Sequence, residues 1–297
     1  FHGVFEVSKS SNIDEKLNYL TEQLTTIPLL LRLMELCPIT DQEVEKLLIQ
    51  IRLSTLNQLS NDHITSLSLP FYEALALHCF TNEYVFLESN EETLKVDQLK
   101  NEINERISNK EHIPVLKITL LATYRPLHIF SWADKLLESD STDTIQRIII
   151  RQITEVREEQ RLRSQIPEIN ITENKISQVV REQYEENPYP RWVNTGLPLN
   201  PSSISEVTKN LELSIFDPKI NDVENPSILI GGCGTGQHSI DTAAFFKNST
   251  VLAVDLSLAS LVYAKRKTEA LGIQNLEYMH ADILDLGKLG RQFDIVE

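Results

Sequence analysis

One glycine-rich stretch, near the carboxyl end of the chain, constrains the possible fold more than any other feature of the sequence. The apolar run at residues 227–231 leads into a loop that carries Gly232, Gly234 and Gly236, and an amphipathic segment follows the loop. This order of patterns predicts a strand, a tight turn and a helix. Glycine allows positive φ angles and lets a ligand approach the backbone more closely than a Cβ would permit. The amides that open the following helix would face an anionic group of that ligand.

The spacing of these glycines bears on which ligand is expected. A dinucleotide-binding loop follows the pattern G-x-G-x-x-G, which requires a third glycine three positions after the second. Counted from Gly232 that position holds Gln237, and the loop reads G-x-G-x-G instead. A nicotinamide-dependent dehydrogenase is therefore kept only as a less favoured alternative.

Three further apolar runs follow the loop, in the order typical of a parallel sheet that alternates with helices. The first of them ends in Asp255, nineteen positions after Gly236, where a carboxylate in such folds accepts hydrogen bonds from ribose hydroxyls. Ser257 is a candidate N-cap for the next helix, and Gly272 is a candidate left-handed stop. The second run leads to Asp282. The three runs occupy residues 250–255, 276–280 and 293–297.

The loop, read as G-C-G-T-G, resembles motif I of the class I S-adenosylmethionine-dependent methyltransferases, and the acidic residues after it lie at that family's spacing. The resemblance implies a Rossmann-like sheet and S-adenosyl-L-methionine (SAM) as the cofactor. It also implies that the loop holds the methionine end, that the acid after the second strand takes the ribose, and that the acid after the third strand accepts from the adenine amino group. In this sequence, the resemblance assigns these cofactor-binding roles to Gly232, Cys233, Gly234, Thr235, Gly236, Asp255, Leu256, Asp282 and Ile283.

One position departs from the family pattern. Most members carry an acidic residue two positions before the first glycine of the loop, and this chain has Ile230 there. The departure bears on a contact to the amino group of the cofactor, and it keeps a second hypothesis open. In that alternative the upstream helical region is an interaction module, and the methyltransferase-like domain binds the cofactor without catalysing a reaction.

A decapeptide upstream of the loop, Q-Y-E-E-N-P-Y-P-R-W at residues 183–192, is rich in aromatic residues and proline. Its two prolines predict an extended segment. The decapeptide resembles a signature that precedes the methyltransferase domain in bacterial multidomain proteins with an upstream helical region. Two roles stay open. The segment is either a lid over the cofactor cleft, with Tyr184, Tyr189 or Arg191 facing the substrate, or an aromatic plug that fastens the helical part to the sheet.

The sequence does not identify the catalytic residues, and it offers two candidates. Tyr189 belongs to the decapeptide, and Glu297 lies at the tip of the fourth predicted strand, where the resemblance implies a position near the reactive methyl group. No metal site is expected, because the upstream histidines lack the spacing of metal ligands. These histidines are His63, His78, His112 and His128.

The fold class expected for the chain is α plus α/β, with an all-helical domain first and the first half of a Rossmann-like methyltransferase sheet second. Helical periodicity predicts a helical domain over residues 1–172. Residues 173–225 are predicted to form a helix and the aromatic, proline-rich connector, and residues 226–297 the N-terminal part of the methyltransferase domain. The family's sheet has more strands than the four placed here, so we expect the domain to be truncated and the chain to be a fragment.

A group of arginines near the end of the helical region invites a nucleic-acid interpretation. Acidic residues lie among them, which favours a solvated helix face with local ion pairs instead. The arginines are Arg147, Arg151, Arg157, Arg161 and Arg163, and the acidic residues are Glu155, Glu158 and Glu159.

The amino-acid composition limits which classes of partner can be expected. The 28 basic and 43 acidic side chains give a formal net charge of −15, without the basic stripe that phosphate binding uses. We therefore expect no nucleic-acid partner, and a small molecule or a protein as the methyl acceptor. Three widely spaced cysteines fit a reducing, cytoplasmic setting. No apolar run reaches the ~20 residues of a bilayer crossing, so no membrane span is expected.

Overall fold

The structure is a computed structural model that describes residues 13–59, 66–137, 143–169, 185 and 190–297. It divides into two compact units, Phe1–Val156 and Arg157–Glu297. We call them the helical unit and the α/β unit and describe each by itself.

The helical unit is built from amphipathic segments whose ends are set by capping residues. Helix α5 shows how local chemistry sets such an end, because the Ser89 hydroxyl accepts from the Glu92 amide while the Glu92 carboxylate accepts from the Ser89 amide. In the described residues the helices are α1 (Ile13–Thr25), α2 (Pro28–Leu36), α3 (Gln42–Gln58), α4 (Leu69–Thr81), α5 (Asn90–Ser108), α6 (Val115–Ala122), α7 (Asp143–Ile149) and α8 (Glu155–Leu162), with a π-helical turn (Ile150–Thr154) between the last two. From Arg157 onward, α8 belongs to the α/β unit.

The core of the helical unit lies around α4. Every residue of this helix from Phe71 to Thr81 is buried, because α4 packs against α2 on one side and α6 on another. Two apolar clusters result, one with Phe71 and Leu75 and the other with Ala76 and Leu77. The all-helical class predicted for this region is therefore confirmed for its described residues.

The group of arginines between Arg147 and Arg163 departs in part from the prediction of local ion pairs. Arg147 binds two acidic side chains that are distant in sequence, Glu35 at 2.5 Å and Glu73 at 2.6 Å. Both carboxylates are buried, so this guanidinium neutralises charge inside the fold and is not part of a merely solvated face. The predicted local pairing does occur further along, where Arg161 binds Glu158 at 2.6 Å.

The α/β unit contains one parallel sheet. Its strands are β1 (Ser227–Gly231), β2 (Thr250–Asp255), β3 (Leu276–His280) and β4 (Ile295–Val296), in the order β3-β2-β1-β4. The described helices beside them are α9 (Ile204–Asn210), α10 (Gln237–Phe245) and α11 (Leu258–Ala270). Ile228 pairs with both Val251 and Ile295, so all four carboxyl ends point to the same edge of the sheet.

Apolar side chains cover both faces of the sheet. On one face Ile228 and Ile230 pack with Ile240 of α10 and Leu261 of α11. The opposite face carries Leu229, Leu252 and Val254, together with Ile169, Leu286 and Phe293 from outside the strands. Burial on both faces explains why β1 and β2 read as continuous apolar runs. The predicted class, α plus α/β, is confirmed.

Within the described ranges, no helix combines the length and the apolar character that a membrane crossing requires.

Candidate functional site

The glycine loop lies at the carboxyl edge of the sheet, between β1 and α10. Gly232, Gly234 and Gly236 have φ angles of 73°, 53° and 80°, which side chains with a Cβ rarely adopt. The amides of Gly232 and Cys233 both donate to the Val254 carbonyl, at 2.8 and 3.0 Å. These bonds fix the loop against β2 and leave it little freedom to move.

The three glycines serve different purposes. A Cβ on Gly236 would lie 2.4 Å from the Cβ of Ala264 and 3.0 Å from the Tyr278 hydroxyl, so this position must be glycine for the loop to pack. Gly232 and Gly234 have nothing within 4 Å of a Cβ, so the space beside them is open to a ligand. Helix α10 starts directly after Gly236, and its first amides face this edge of the sheet.

Asp255 closes β2 and ties two loops together. One carboxylate oxygen accepts from the Gly234 amide at 2.7 Å, and the other accepts from the Ser257 amide at 2.8 Å. A carboxylate has about four acceptor positions. Asp255 can therefore hold the loops and still accept from the hydroxyls of a bound ribose.

The third strand contributes Asp282 and Ile283 at the same edge. The buried Asp282 carboxylate accepts from the Leu284 amide at 2.9 Å and caps a short 3-10 helix. Ile283 is 57% exposed, and its Cγ2 lies 3.6 Å from the position that a Cβ on Gly231 would take. An apolar side chain beside an acceptor oxygen is suited to a flat base that carries an amino group.

A residue of β3, His280, also holds the loop that follows β2. His280 is buried, and its Nε2 lies 2.9 Å from the carbonyl oxygen of Leu256. A carbonyl only accepts, so Nε2 carries the proton in this contact. This bond fixes the predicted cofactor residue Leu256 in place.

Glu297 places a carboxylate beside helix α10, the helix that follows the glycine loop. Its Oε2 lies 2.8 Å from His238 Nε2 and 3.4 Å from the Thr242 hydroxyl, and both partners belong to α10. Leu229 and Val296 are register partners, so the next pair, Ile230 and Glu297, share a face of the sheet. Ile230 stands where most members of the family have an acid, and the Glu297 carboxylate lies beside it, directly after the neighbouring strand β4.

Comparison with known proteins adds to this geometry. Residues 228–297 match the family model described as "Methyltransferase domain". A match also extends over 113 residues to "Uncharacterized protein RP789" of Rickettsia prowazekii (strain Madrid E), with 30% identity. That match covers 38% of this chain and 19% of the relative, so the chain spans about a fifth of the length of the relative that it matches.

The thiol of the loop residue Cys233 is not poised for reaction. Burial, and next the charge of Asp255, raise the pKa of this thiol well above its ordinary value. The thiol therefore stays protonated at neutral pH, and a protonated thiol is a poor nucleophile. Cys233 serves the loop as a small side chain.

The decapeptide upstream of the glycine loop is described only in part. Tyr184 and Tyr189, two of the side chains assigned to a lid, lie outside the described residues. Trp192 is buried, and its indole N–H donates to the Thr235 carbonyl in the glycine loop at 3.0 Å. Trp192 therefore contacts the glycine loop, whereas the Arg191 guanidinium lies 3.8 Å from Glu159, and the lid role of Tyr189 stays a prediction.

Sequence reasoning located the loop and the acids but missed several residues that support them. His238, His280 and Tyr278 were not among the predicted site residues, although each contacts this edge. His238 could have been noticed, because it lies on the first turn of the helix that the loop opens. Within the described ranges, no cluster of three or more His, Cys, Asp or Glu side chains could hold a metal ion.

Proposed function

We propose that this protein transfers a methyl group from SAM to an acceptor. The observation that carries the proposal is the hydrogen bond that joins Asp255 to the Gly234 amide, because it connects the ribose-binding acid to the glycine loop in one rigid edge. The match of residues 228–297 to a methyltransferase domain supports the same conclusion.

The residues at this edge fit the parts of the cofactor. The open space beside Gly232 and Gly234 suits the methionine end. Asp255 retains acceptor positions for the ribose hydroxyls, and Asp282 with Ile283 suits the adenine ring. Cys233, Thr235 and Leu256 would contribute backbone atoms and packing to the same site.

In methyl transfer, the main contribution of the protein is to align the methyl donor with the acceptor. Displacement at a methyl carbon requires donor and acceptor close together and in line, and holding them so lowers the entropic part of the barrier. A general base is needed only when the acceptor must lose a proton. Glu297, within hydrogen-bond distance of His238, is the candidate base among the described residues, and Tyr189 is the candidate from the decapeptide.

For the methyl acceptor, we propose a chemical class and not an individual molecule. The net charge of −15 argues against a nucleic acid, since repulsion from phosphates would have to be overcome. A small molecule or a protein side chain in a cytoplasmic setting is the acceptor that we favour.

A second candidate function rests on Ile230. Without an acid at this position on β1, a contact to the amino group of the cofactor depends on a neighbouring strand. In this alternative the helical unit is an interaction module, and the α/β unit binds SAM without transferring its methyl group.

The test uses the complete protein and SAM that carries a label on its transferable methyl group. S-adenosylhomocysteine should form together with a labelled product when candidate small molecules or proteins are supplied, and Glu297→Gln should slow its formation if this carboxylate is the base. Binding of SAM with no turnover on any acceptor, and no automethylation, would favour the interaction module.

A further inference from the structure

The residues just upstream of the methyltransferase domain make reciprocal hydrogen bonds with the glycine loop. The Thr235 hydroxyl donates to the Pro190 carbonyl at 2.9 Å, and the Trp192 indole N–H donates back to the Thr235 carbonyl at 3.0 Å. The hydroxyl and the carbonyl of this one loop residue are thus both bonded to residues 190–193, which we call the clasp. Thr235 itself is 3% exposed, so water cannot replace these partners without opening the structure.

Helix α11 holds the clasp from the other side. The Tyr263 hydroxyl donates to the Trp192 carbonyl, and the Lys267 ammonium donates to the Val193 carbonyl at 2.6 Å. The rings of Trp192 and Tyr263 meet edge to face with centroids 6.1 Å apart. The indole is therefore fixed by packing as well as by hydrogen bonds.

A buried ion pair adds a further anchor. Glu159 binds Arg266 of α11 at 2.9 Å, and its other oxygen lies 3.8 Å from the Arg191 guanidinium of the clasp. Glu159 and Arg266 are both buried, so the removal of Glu159 would take a carboxylate partner from two guanidinium groups at once. This pairing fixes the backbone of the clasp against α11.

The decapeptide also contacts the start of helix α11, which follows the loop after β2. Glu185 accepts from the Ala259 amide at 3.1 Å, in the first turn of α11 and four residues after Asp255. Its other oxygen binds Arg163 at 2.8 Å. Residues of one decapeptide thus bind both the glycine loop and the first turn of α11.

We propose that the clasp positions the glycine loop for the cofactor, with Trp192 as a positioning residue. Its hydrogen bond fixes Thr235 and, through it, Gly236, whose close packing on Ala264 sets the start of α10. A loop that is already ordered loses less entropy when a ligand binds. The link to SAM rests on the function proposed above, whereas the ordering of the loop does not.

Hydrogen exchange of the complete protein without ligand tests the ordering directly. Trp192→Phe keeps an aromatic ring but removes the N–H, so we expect amides of residues 232–236 to exchange about 3- to 10-fold faster, with β3 unchanged. The matched control is Trp132→Phe, the same substitution in the helical unit, which should leave loop exchange at the parent rate. Unchanged loop exchange in Trp192→Phe would overturn the proposal.

A titration of SAM separates this proposal from the proposed function. In a parent that binds SAM, we expect Trp192→Phe to raise Kd about 3- to 10-fold without a matching loss of kcat. Equal affinity in the two proteins would contradict the role of the clasp in binding. A folded parent that does not bind SAM would contradict the proposed function, and the exchange rates would still decide whether the clasp orders the loop.

Discussion

The carboxylate of Asp255 accepts a hydrogen bond from the Gly234 amide at 2.7 Å, across 21 positions of sequence. The same side chain accepts from Ser257 at 2.8 Å, so it joins the loop after β1 to the loop after β2. Removal of this carboxylate exposes two backbone donors that lose their partner. Asp255 is therefore expected to stabilise the unit before any ligand is present.

Asp255→Ala should destabilise the α/β unit by about 1–3 kcal/mol, because a lost charge-assisted hydrogen bond leaves a backbone donor unsatisfied. Asp255→Asn retains one oxygen and should cost less. Urea unfolding of each variant, followed by circular dichroism, measures the change. The matched control is Glu277→Ala on the neighbouring strand, whose side chain is 74% exposed. Equal stability of parent and Asp255→Ala would contradict this role.

Gly236→Ala should cost about 2–4 kcal/mol, because the new Cβ meets Ala264 at 2.4 Å and the residue has a φ of 80°. Gly234→Ala is the matched variant, since it shares the positive φ but has open space around the Cβ. We expect about 1 kcal/mol from backbone strain alone. Thermal unfolding of the two variants side by side measures the difference, and an equal loss in both would show that packing at Gly236 is not the reason for glycine there.

The three cysteines should react with iodoacetamide at different rates. Burial raises the pKa of the Cys79 thiol to about 12, and burial with the Asp255 charge raises that of Cys233. Cys37 and Cys233 are both partly exposed, but the raised pKa keeps the Cys233 thiol protonated, so Cys37 should be alkylated first at pH 7.5. Mass spectrometry of the peptides over time follows each site. Labelling of Cys233 as fast as Cys37 in folded protein would contradict the assignment of a protonated, unreactive thiol.

The ion pair of Glu88 and Arg125 should make the stability of the helical unit depend on pH. Burial alone would raise the pKa of Glu88, but hydrogen bonds from Arg125 and Thr93 and the Arg125 charge outweigh it and lower the pKa below 4.5. A lowered pKa means that the carboxylate stabilises the fold above pH 4.5 and that this contribution disappears as the pH falls through the folded pKa.

Glu88→Gln should therefore cost about 1 kcal/mol at pH 7 and progressively less below pH 4.5. Urea unfolding across this range measures the effect. Glu91→Gln, at an exposed pair with Lys95, serves as the control and should change stability much less. A cost for Glu88→Gln that stays constant down to pH 3 would be inconsistent with the ion pair.

Local chemistry made part of this fold predictable. The run at 250–255 coincides with β2, because a buried parallel strand needs apolar residues on both faces, and the run at 276–280 coincides with β3, an edge strand with alternating burial. Ser257 accepts from the Ser260 amide and Gly272 has a φ of 72°, as their capping roles require. The fourth run was only partly strand, since β4 covers Ile295–Val296.

Contacts between distant parts of the chain could not be predicted in the same way. Arg147 lies among local acids in the sequence but binds Glu73, 74 positions away, because helix packing brings α4 to it. The bond from Trp192 to Thr235 spans 43 positions, and no periodicity or cap signals it. Such pairs depend on how elements pack, which a single sequence expresses only weakly.

The central claim is that the edge formed by the glycine loop, Asp255 and Asp282 binds SAM. Calorimetric titration of SAM into the complete protein tests it most directly, with Asp255→Asn as the variant closest in shape and a nicotinamide cofactor as the competing ligand. We predict a Kd of roughly micromolar order for the parent, at least about tenfold weaker binding to Asp255→Asn, and no binding of the nicotinamide cofactor. A folded parent that gives no heat with SAM, or that binds the nicotinamide cofactor as tightly, would contradict the claim.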